Sequence, residues 1–156
     1  MQDKPSAGPS VIALPPLILA AAIAAGLILH FFWPAKFLPR ALAVPFGIVI
    51  VLGAVAIAVL AVREMRAAHT PLDVRKASTR IVTSGVFQKS RNPIYLGMVL
   101  LCAGIALLVD SLWLLVLALL LEGVLQKGVI EPEEAYLERH FGEEYLRYKA
   151  KVRRWI

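Results

Sequence analysis

The sequence has little of the side-chain chemistry that binds metals or forms cross-links. It contains one cysteine, Cys102, which excludes an intrachain disulfide and which we interpret as a small buried hydrophobic group. Its three histidines, His30, His69 and His140, lack the spacing of metal ligands, so we predict no metal site. It has no glycine-rich phosphate loop, no G-x-G-x-x-G motif, and no serine or cysteine nucleophile with a base beside it. These absences argue against metal-dependent and thiol-dependent sites and against nucleotide-binding folds that use a phosphate loop or a G-x-G-x-x-G motif.

Charge is also scarce, since only 18% of the residues are charged and 59% are hydrophobic. Residues 11–33 and 41–62 contain no Asp, Glu, Lys or Arg, and each run is long enough for a membrane span of roughly 20 residues. The first is too long for a signal-peptide core, so we interpret it as a retained span. Residues 93–109 and 112–130 are two further apolar runs, separated by a polar turn. We predict an all-α integral membrane protein of one domain with four transmembrane helices, the last two forming a hairpin.

The basic residues predict the orientation in the membrane. The net charge is +6, and all but three of the seventeen Lys and Arg residues lie in residues 63–92 or 127–154. Because positive residues collect on the cytosolic side, we predict that both termini are cytosolic, at the inner membrane if the source is a bacterium. Residues 63–92 are then an ordered cytosolic connector, and residues 131–156 form cytosolic interfacial helices. We expect their charge to face lipid rather than nucleic acid.

A polar cluster, residues 91–97, begins the predicted hairpin. Asn92 and Pro93 are typical of a helix start, with the asparagine as cap and the proline in the first turn. Tyr95 and Gly97 follow at once and add a phenol and a bare patch of backbone that a ligand can approach closely. The cluster therefore predicts either a ligand site or a simple helix cap.

A second polar cluster, residues 131–134, follows the hairpin, which would bring the two clusters together at one membrane face. Its acids have an ordinary role in the first turn of a helix opened by proline. If the preceding helix instead continues through this cluster, Glu122, Gln126 and Glu133 share one face. Ionisable groups within a membrane segment are candidate functional groups, so this stripe is a hypothesis for a site.

Four segments resemble the isoprenylcysteine carboxyl methyltransferases and their phospholipid methyltransferase relatives. These segments are residues 83–87, 91–97, 133–134 and 141–148. The resemblance covers about residues 70 to 155, and it implies an integral-membrane enzyme that binds S-adenosylmethionine at the cytosolic end of the hairpin. By the same resemblance, the expected cofactor-binding residues are Thr79, Arg80, Ile81, Val82, Phe87, Arg91, Asn92, Pro93, Ile94, Tyr95, Gly97, Glu133 and Glu134.

Two departures from the family pattern bear on the ligands. Where the family often has a histidine after the arginine, this chain has Asn92, which still donates and accepts hydrogen bonds. Where the isoprenylcysteine enzymes carry an arginine thought to hold the substrate carboxylate, this chain has Val129. Lys127 could replace that arginine only from a neighbouring helical position. A prenylcysteine carboxylate is therefore not the expected acceptor.

We predict a methyltransferase that takes S-adenosylmethionine from the cytosol and an amphiphilic or lipid-like acceptor laterally from the bilayer. An ammonium acceptor must lose a proton before methylation, and Glu133 or Glu122 is the candidate base. Two alternatives stay open: an NADPH-dependent membrane reductase of the steroid-reductase type, which has a similar helical arrangement, and a non-enzymatic membrane scaffold whose polar clusters only cap helices. The sequence does not predict an oligomeric state.

Overall fold

The computed structural model describes residues 9–156, and all regular structure in this range is helical. The helices are α1 (Pro15–Phe32), α2 (Arg40–Ala67), α3 (Pro93–Leu108), α4 (Leu112–Leu125), α5 (Glu131–Phe141) and α6 (Glu143–Lys151). The all-α prediction is confirmed for this range. The predicted cytosolic N-terminus begins with residues 1–8, which lie outside the described residues.

Three stretches of helix are long and apolar enough to cross a membrane, namely α1, α2 and the continuous helix Leu112–Phe141. α3 is apolar but has 16 residues, which gives a length of about 24 Å against a hydrocarbon core of about 30 Å. Large apolar side chains on α1 and α2 are exposed, as Phe31 is at 80% and Phe46 at 58%. Such a surface suits contact with lipid. A membrane crossing by α3, and hence the count of four spans, stays a prediction.

The last long helix does not stop at the second polar cluster. α4 passes into a π-helical segment, Gln126–Ile130, which passes directly into α5. The predicted helix from residue 131 is present, but it continues α4 instead of starting anew. A π turn accommodates one extra residue, so α5 is rotated by about 100° from the positions of an uninterrupted α-helix. The predicted common face of Glu122, Gln126 and Glu133 is therefore wrong.

The residues before α1 pack against this π segment. The N–H of Ile12 donates a hydrogen bond to the carbonyl of Gly128 over 3.1 Å. That carbonyl is available because Pro132, four residues later, has no N–H to donate to it. The side chain of Ile12 occupies the space that a Cβ on Gly128 would need. Glycine and proline together thus fix the beginning of the described chain beside the second polar cluster.

Small residues set the contact between α2 and α3. A Cβ on Gly104 would lie 2.7 Å from Cγ2 of Val51, and a Cβ on Gly97 would lie 3.1 Å from the carbonyl oxygen of Ala54. The two backbones approach so closely because these side chains are absent, as is usual between membrane helices. α3 also packs on α4, and α4 packs on α1. The site described below depends on this fixed position of α3.

The turn between α3 and α4 lies at one end of the bundle, which we name the turn end. Asp110 has a φ of 51° there, and its Oδ1 accepts hydrogen bonds from the N–H groups of Phe37 and Leu38, each 3.0 Å long. These backbone donors, Phe37 first, hold the pKa of Asp110 below its ordinary value. Ser111 caps α4 by accepting from the N–H of Leu114. One carboxylate thus ties the α1–α2 loop to the α3–α4 turn.

Candidate active site

A cavity of about 550 Å³ lies at the opposite end of the bundle, which we name the cavity end. Its wall comes from the residues around the starts of α1 and α3, from the connector between α2 and α3, and from α5 and α6. Its volume is within the range of sites for small molecules. Its charged and hydrogen-bonding wall residues are Thr70, Asp73, Arg75, Lys76, Ser78, Arg80, Arg91, Asn92, Tyr95, Glu133, Glu134, Tyr145 and Tyr148.

A hydrogen bond inside the cavity wall joins the two polar clusters. The hydroxyl of Tyr95, in the first turn of α3, donates to Oε2 of Glu133, at the start of α5, over 2.8 Å. The two residues are 38 positions apart in the chain. Within residues 9–156 no second donor reaches the Glu133 carboxylate. This acid is therefore oriented by one phenol and keeps an oxygen free for a ligand in the cavity.

The neighbouring acid, Glu134, is held by two arginines. Its carboxylate forms an ion pair with Nη2 of Arg91 at 3.2 Å, and the two side chains are only 6% and 8% exposed. It also accepts from Nε and Nη2 of Arg154 at 3.1 and 2.8 Å, and this pairing raises the pKa of Arg154 further. Both oxygens of Glu134 are thus engaged within the protein, which gives this residue a structural role in the wall.

Arg91 has buried donors to spare. Its Nε and Nη1 are buried and have no hydrogen-bond partner among the described residues. A buried guanidinium with unmet donors is costly unless an acceptor reaches it, and a carboxylate is its best geometric match. Because Arg91 lines the cavity, this side chain can hold the anionic group of a ligand.

The segment after α6, residues 152–156, folds back onto the first polar cluster; we name it the C-terminal segment. The carbonyl of Arg154 accepts from Oγ of Ser90 at 3.2 Å and from Nδ2 of Asn92 at 3.1 Å, and the carbonyl of Arg153 accepts from the N–H of Arg91 at 3.0 Å. The predicted helix start is confirmed, since α3 begins at Pro93 with Asn92 in the N-cap position, but the asparagine side chain accepts no N–H of α3. The asparagine binds the C-terminal segment instead.

Two tyrosines of α6 complete the wall. The hydroxyl of Tyr148 donates to the carbonyl of Phe87 over 2.7 Å and so ties α6 to the connector. Burial raises the pKa of Tyr148 to about 12, against the opposing effect of Arg91. Burial likewise raises the pKa of Tyr145 well above its ordinary value, and the charge of Glu134 adds to this. Both phenols are therefore protonated at neutral pH.

Most of the cofactor-binding residues expected from the sequence do line the cavity. They are Arg80, Ile81, Val82, Phe87, Arg91, Asn92, Pro93, Ile94, Tyr95, Glu133 and Glu134. Thr79 stands behind the wall, where its hydroxyl donates to the carbonyl of His69 over 3.0 Å. Gly97 lies in the contact of α3 with α2.

The other candidate residues on the last long helix do not reach the cavity wall. Glu122 is eleven residues before Glu133, which places it about 16 Å away along the helix. Val129 is fully buried in the helical core. Lys127 is 75% exposed and pairs with Glu131 at 3.1 Å, so it does not stand in for the missing arginine. A carboxylate acceptor therefore has no cation from this part of the helix.

Sequence reasoning missed several wall residues. Leu14 and Leu17 border the cavity because α1 starts beside it, and the sequence showed them only as part of an apolar run. Arg154 is not a wall residue but binds Glu134 of the wall, and in the sequence it appeared only as one of several basic residues. Asp73 and Arg75 form an ion pair at 3.1 Å on the connector, a pair whose spacing of two residues was a readable signal for a local turn.

The donor set fits a zwitterionic, partly apolar ligand. The free N–H groups of Arg91 suit a carboxylate, the Glu133 carboxylate suits a positive charge, and the wall of Ile81, Val82 and Phe87 suits an aromatic base. S-adenosylmethionine, expected from the sequence, carries all three groups. Residues 9–156 contain no group of three or more His, Cys, Asp or Glu side chains that could hold a metal ion.

Comparison with known proteins identifies the family. The sequence matches the family model described as phospholipid methyltransferase over residues 42–144. A 44-residue stretch is 52% identical to an uncharacterized protein of Haemophilus influenzae, and it covers 28% of this chain and 67% of that protein. No solved structure matches the chain. The family match spans α2 to α5 and both polar clusters, and it confirms the resemblance found in the sequence. The chain therefore belongs to the phospholipid methyltransferase family of membrane methyltransferases.

Proposed function

We propose that the protein transfers a methyl group from S-adenosylmethionine to an amphiphilic or lipid-like acceptor at the cytosolic face of the membrane. One observation carries the proposal: a single cavity is lined by Glu133, which Tyr95 orients, and by Arg91, whose Nε and Nη1 have no partner within residues 9–156. An acid and a cation so placed match the opposite charges of the expected methyl donor. The basic residues near the cavity end support its cytosolic orientation.

The donor half of the site lies between the connector and the start of α3. Arg91 would bind the carboxylate of S-adenosylmethionine through its free N–H groups, and Phe87 with Ile81 and Val82 would pack on the adenosine. When bound, S-adenosylmethionine supplies an activated methyl group on a positively charged sulfur. Tyr95 and Glu133 stand at the junction of this half with the start of α5.

The acceptor half faces the apolar part of the cavity wall. Leu14 and Leu17 before and within α1, together with Ile94 and Met98 of α3, give this side a hydrocarbon surface. Such a surface suits the apolar portion of an amphiphile that enters from the bilayer. It also excludes water, which strengthens the electrostatic interactions that align the acceptor.

Glu133 is the proposed base. An ammonium acceptor must give up a proton before its lone pair can attack, and Glu133 is the carboxylate within the wall that is not already bound by arginine. Tyr95 holds it in place by donating to Oε2. Glu122 is too far along the helix to share this task.

Ligand titration of the detergent-purified protein tests the proposal. The intact protein is expected to bind S-adenosylmethionine and not NADPH, with weaker binding in Asn92→Ala and Glu133→Gln. Transfer of labelled methyl groups to a total lipid extract then identifies the acceptor class. Binding of NADPH alone would favour the reductase alternative, and binding of neither ligand would favour the scaffold.

A further inference from the structure

The C-terminal segment lies outside the part of the chain that matches the family, because the match ends at residue 144. We propose that Arg154 is a positioning residue, which holds the carboxylate of Glu134 so that the guanidinium of Arg91 keeps two nitrogens free for the ligand. The inference deepens the proposed function and rests on it for the identity of the ligand. Arg154 is absent from the cavity wall, so it acts through its neighbours rather than by contact.

The first step is the way in which Glu134 is shared. Arg154 binds both oxygens of this carboxylate, with Nε to Oε1 at 3.1 Å and Nη2 to Oε2 at 2.8 Å. Two parallel hydrogen bonds of this kind fix the plane of the carboxylate. Arg91 reaches Oε1 through Nη2, at 3.2 Å.

This arrangement leaves Arg91 with one contact to Glu134 and two unpaired nitrogens. An arginine and a carboxylate left alone in a buried site tend to pair through two hydrogen bonds. Arg154 already occupies both oxygens, so Arg91 makes a one-sided contact, and its Nε and Nη1 stay without a partner among the described residues. Removal of Arg154 would free the carboxylate of Glu134 to accept hydrogen bonds from those nitrogens. Arg91, a residue of the cavity wall, therefore keeps unpaired donors because a second arginine competes for the acid.

Arg154 is itself held by contacts with both polar clusters. Its backbone carbonyl accepts from Ser90 and Asn92, the two residues that flank Arg91 in the chain. Its Nη1 also lies 3.7 Å from Glu131, one turn before Glu134. Trp155 adds a hydrogen bond from its indole N–H to Oε1 of Gln126 at 3.1 Å. These contacts fix the position of the Arg154 guanidinium relative to both polar clusters.

The test measures the dissociation constant of S-adenosylmethionine for Arg154→Ala and Arg154→Lys, with Arg153→Ala as the matched control. Arg153 is exposed, and its substitution keeps the backbone carbonyl. Arg154→Ala is expected to raise the dissociation constant at least about tenfold. Arg154→Lys keeps the charge without the fork, so we expect an intermediate rise. Arg153→Ala is expected to change it less than about twofold.

Two further measurements separate positioning from a merely structural role. In an Arg91→Met background, Arg154→Ala is expected to have almost no further effect on the dissociation constant, because it acts through Arg91. A structural role would lower the folded fraction in both backgrounds and leave the dissociation constant of the folded protein unchanged, which would overturn the proposal. If Arg154→Ala does not fold, Arg154→Lys decides between the same two outcomes.

A ligand-free measurement keeps this inference distinct from the proposed function. The thermal midpoints of Arg154→Ala, Glu134→Gln and the double variant are expected to be strongly non-additive. Additive midpoints would refute the ion pair whatever the ligand is. If the midpoints are coupled but the intact protein does not bind S-adenosylmethionine, the proposed function fails, together with the ligand assigned to Arg91, while the pairing of Arg154 with Glu134 stands.

Discussion

The two ends of the bundle differ in how their buried polar groups are paired. At the turn end, the Asp110 carboxylate is matched to two backbone N–H groups, and the indole of Trp113 donates to the carbonyl of Trp33 over 2.6 Å. At the cavity end, three charged groups are packed together, and two buried donors of Arg91 have no partner in the part of the chain that the structure describes. The turn end leaves one ring nitrogen, Nδ1 of His30, buried without a partner among the described residues, whereas the cavity end leaves two nitrogens of a charged arginine in that state. Buried donors without partners are costly, and a ligand or an ordered water that accepts from them offsets the cost.

The largest loss of activity is expected from Glu133, since it is the acid of the cavity wall that no arginine binds. Glu133→Gln keeps the shape of the side chain but removes the charge and the base, so methyl transfer should fall by roughly 10²- to 10⁴-fold. Initial rates with labelled S-adenosylmethionine and saturating lipid extract measure this. Glu138→Gln is the control, because Glu138 is on the same helix and pairs with Lys149 outside the cavity wall. Equal losses in both variants would contradict a special role for Glu133.

The buried ion pair should dominate the stability of the cavity end. Glu134→Gln leaves Arg91 and Arg154 without their shared counter-charge, and we expect the free energy of unfolding to fall by about 3 kcal/mol. Glu131→Gln affects two more exposed contacts on the same helix, the pair with Lys127 and the 3.7 Å approach of Arg154, and should cost less than about 1 kcal/mol. Denaturant unfolding in detergent compares the two variants. A cost for Glu134→Gln as small as that for Glu131→Gln would mean that the arginines are solvated.

A smaller effect is expected from two tyrosines, one whose hydroxyl has a hydrogen-bond partner and one whose hydroxyl has none among the described residues. Tyr148→Phe leaves the carbonyl of Phe87 without its hydroxyl donor, so the free energy of unfolding should fall by about 1 kcal/mol. The hydroxyl of Tyr136 is buried and has no partner among the described residues, so Tyr136→Phe should be neutral or stabilising. Thermal unfolding of both variants measures the difference. The reverse order would show that a ligand or water binds Tyr136.

The smallest effect is expected at the turn end. Asp110→Asn keeps a residue that tolerates positive φ but loses the charge, so we expect a modest fall in the thermal midpoint and unchanged S-adenosylmethionine binding. The pKa of Asp110 is lower in the folded state than its unfolded value of about 3.9. Its contribution to folding stability is therefore present above that pH and is lost as the pH falls through the folded-state pKa. Midpoints of the two proteins should therefore converge in acid. A change in ligand affinity would mean that the ends are coupled.

Much of the helical framework followed from composition, because long uncharged runs and one polar turn leave few other arrangements. The contact of Tyr95 with Glu133 also follows from the hairpin, which returns the chain to the level at which it began. Gly97 was predicted as an open patch for a ligand, but it lies against Ala54 of α2. A glycine allows close approach of any neighbour, and sequence alone does not say whether that neighbour is a ligand or a helix.

Two features of the site depend on contacts that local patterns do not encode. The π segment changes the phase of the last helix, whereas a face predicted from a period of 3.6 residues assumes that the phase is constant. The pairing of Arg154 with Glu134 joins residues 20 positions apart across a turn at Gly142, whose φ is 51°. Basic residues near a membrane are common, so nothing marked this arginine among its neighbours.

The π segment also has a consequence for the gene. The direction in which Glu133 points depends on the number of residues between Leu125 and Glu131, not only on their identity. Because the π turn accommodates one extra residue, loss of one codon in this stretch would let the helix relax to a regular α-helix while Glu133 keeps its direction toward Tyr95. Gain of one codon would instead rotate Glu133 by about 100°, away from Tyr95, although every residue of the cavity wall would still be encoded. A deletion and an insertion at the same place are thus expected to act differently on the site, through spacing alone.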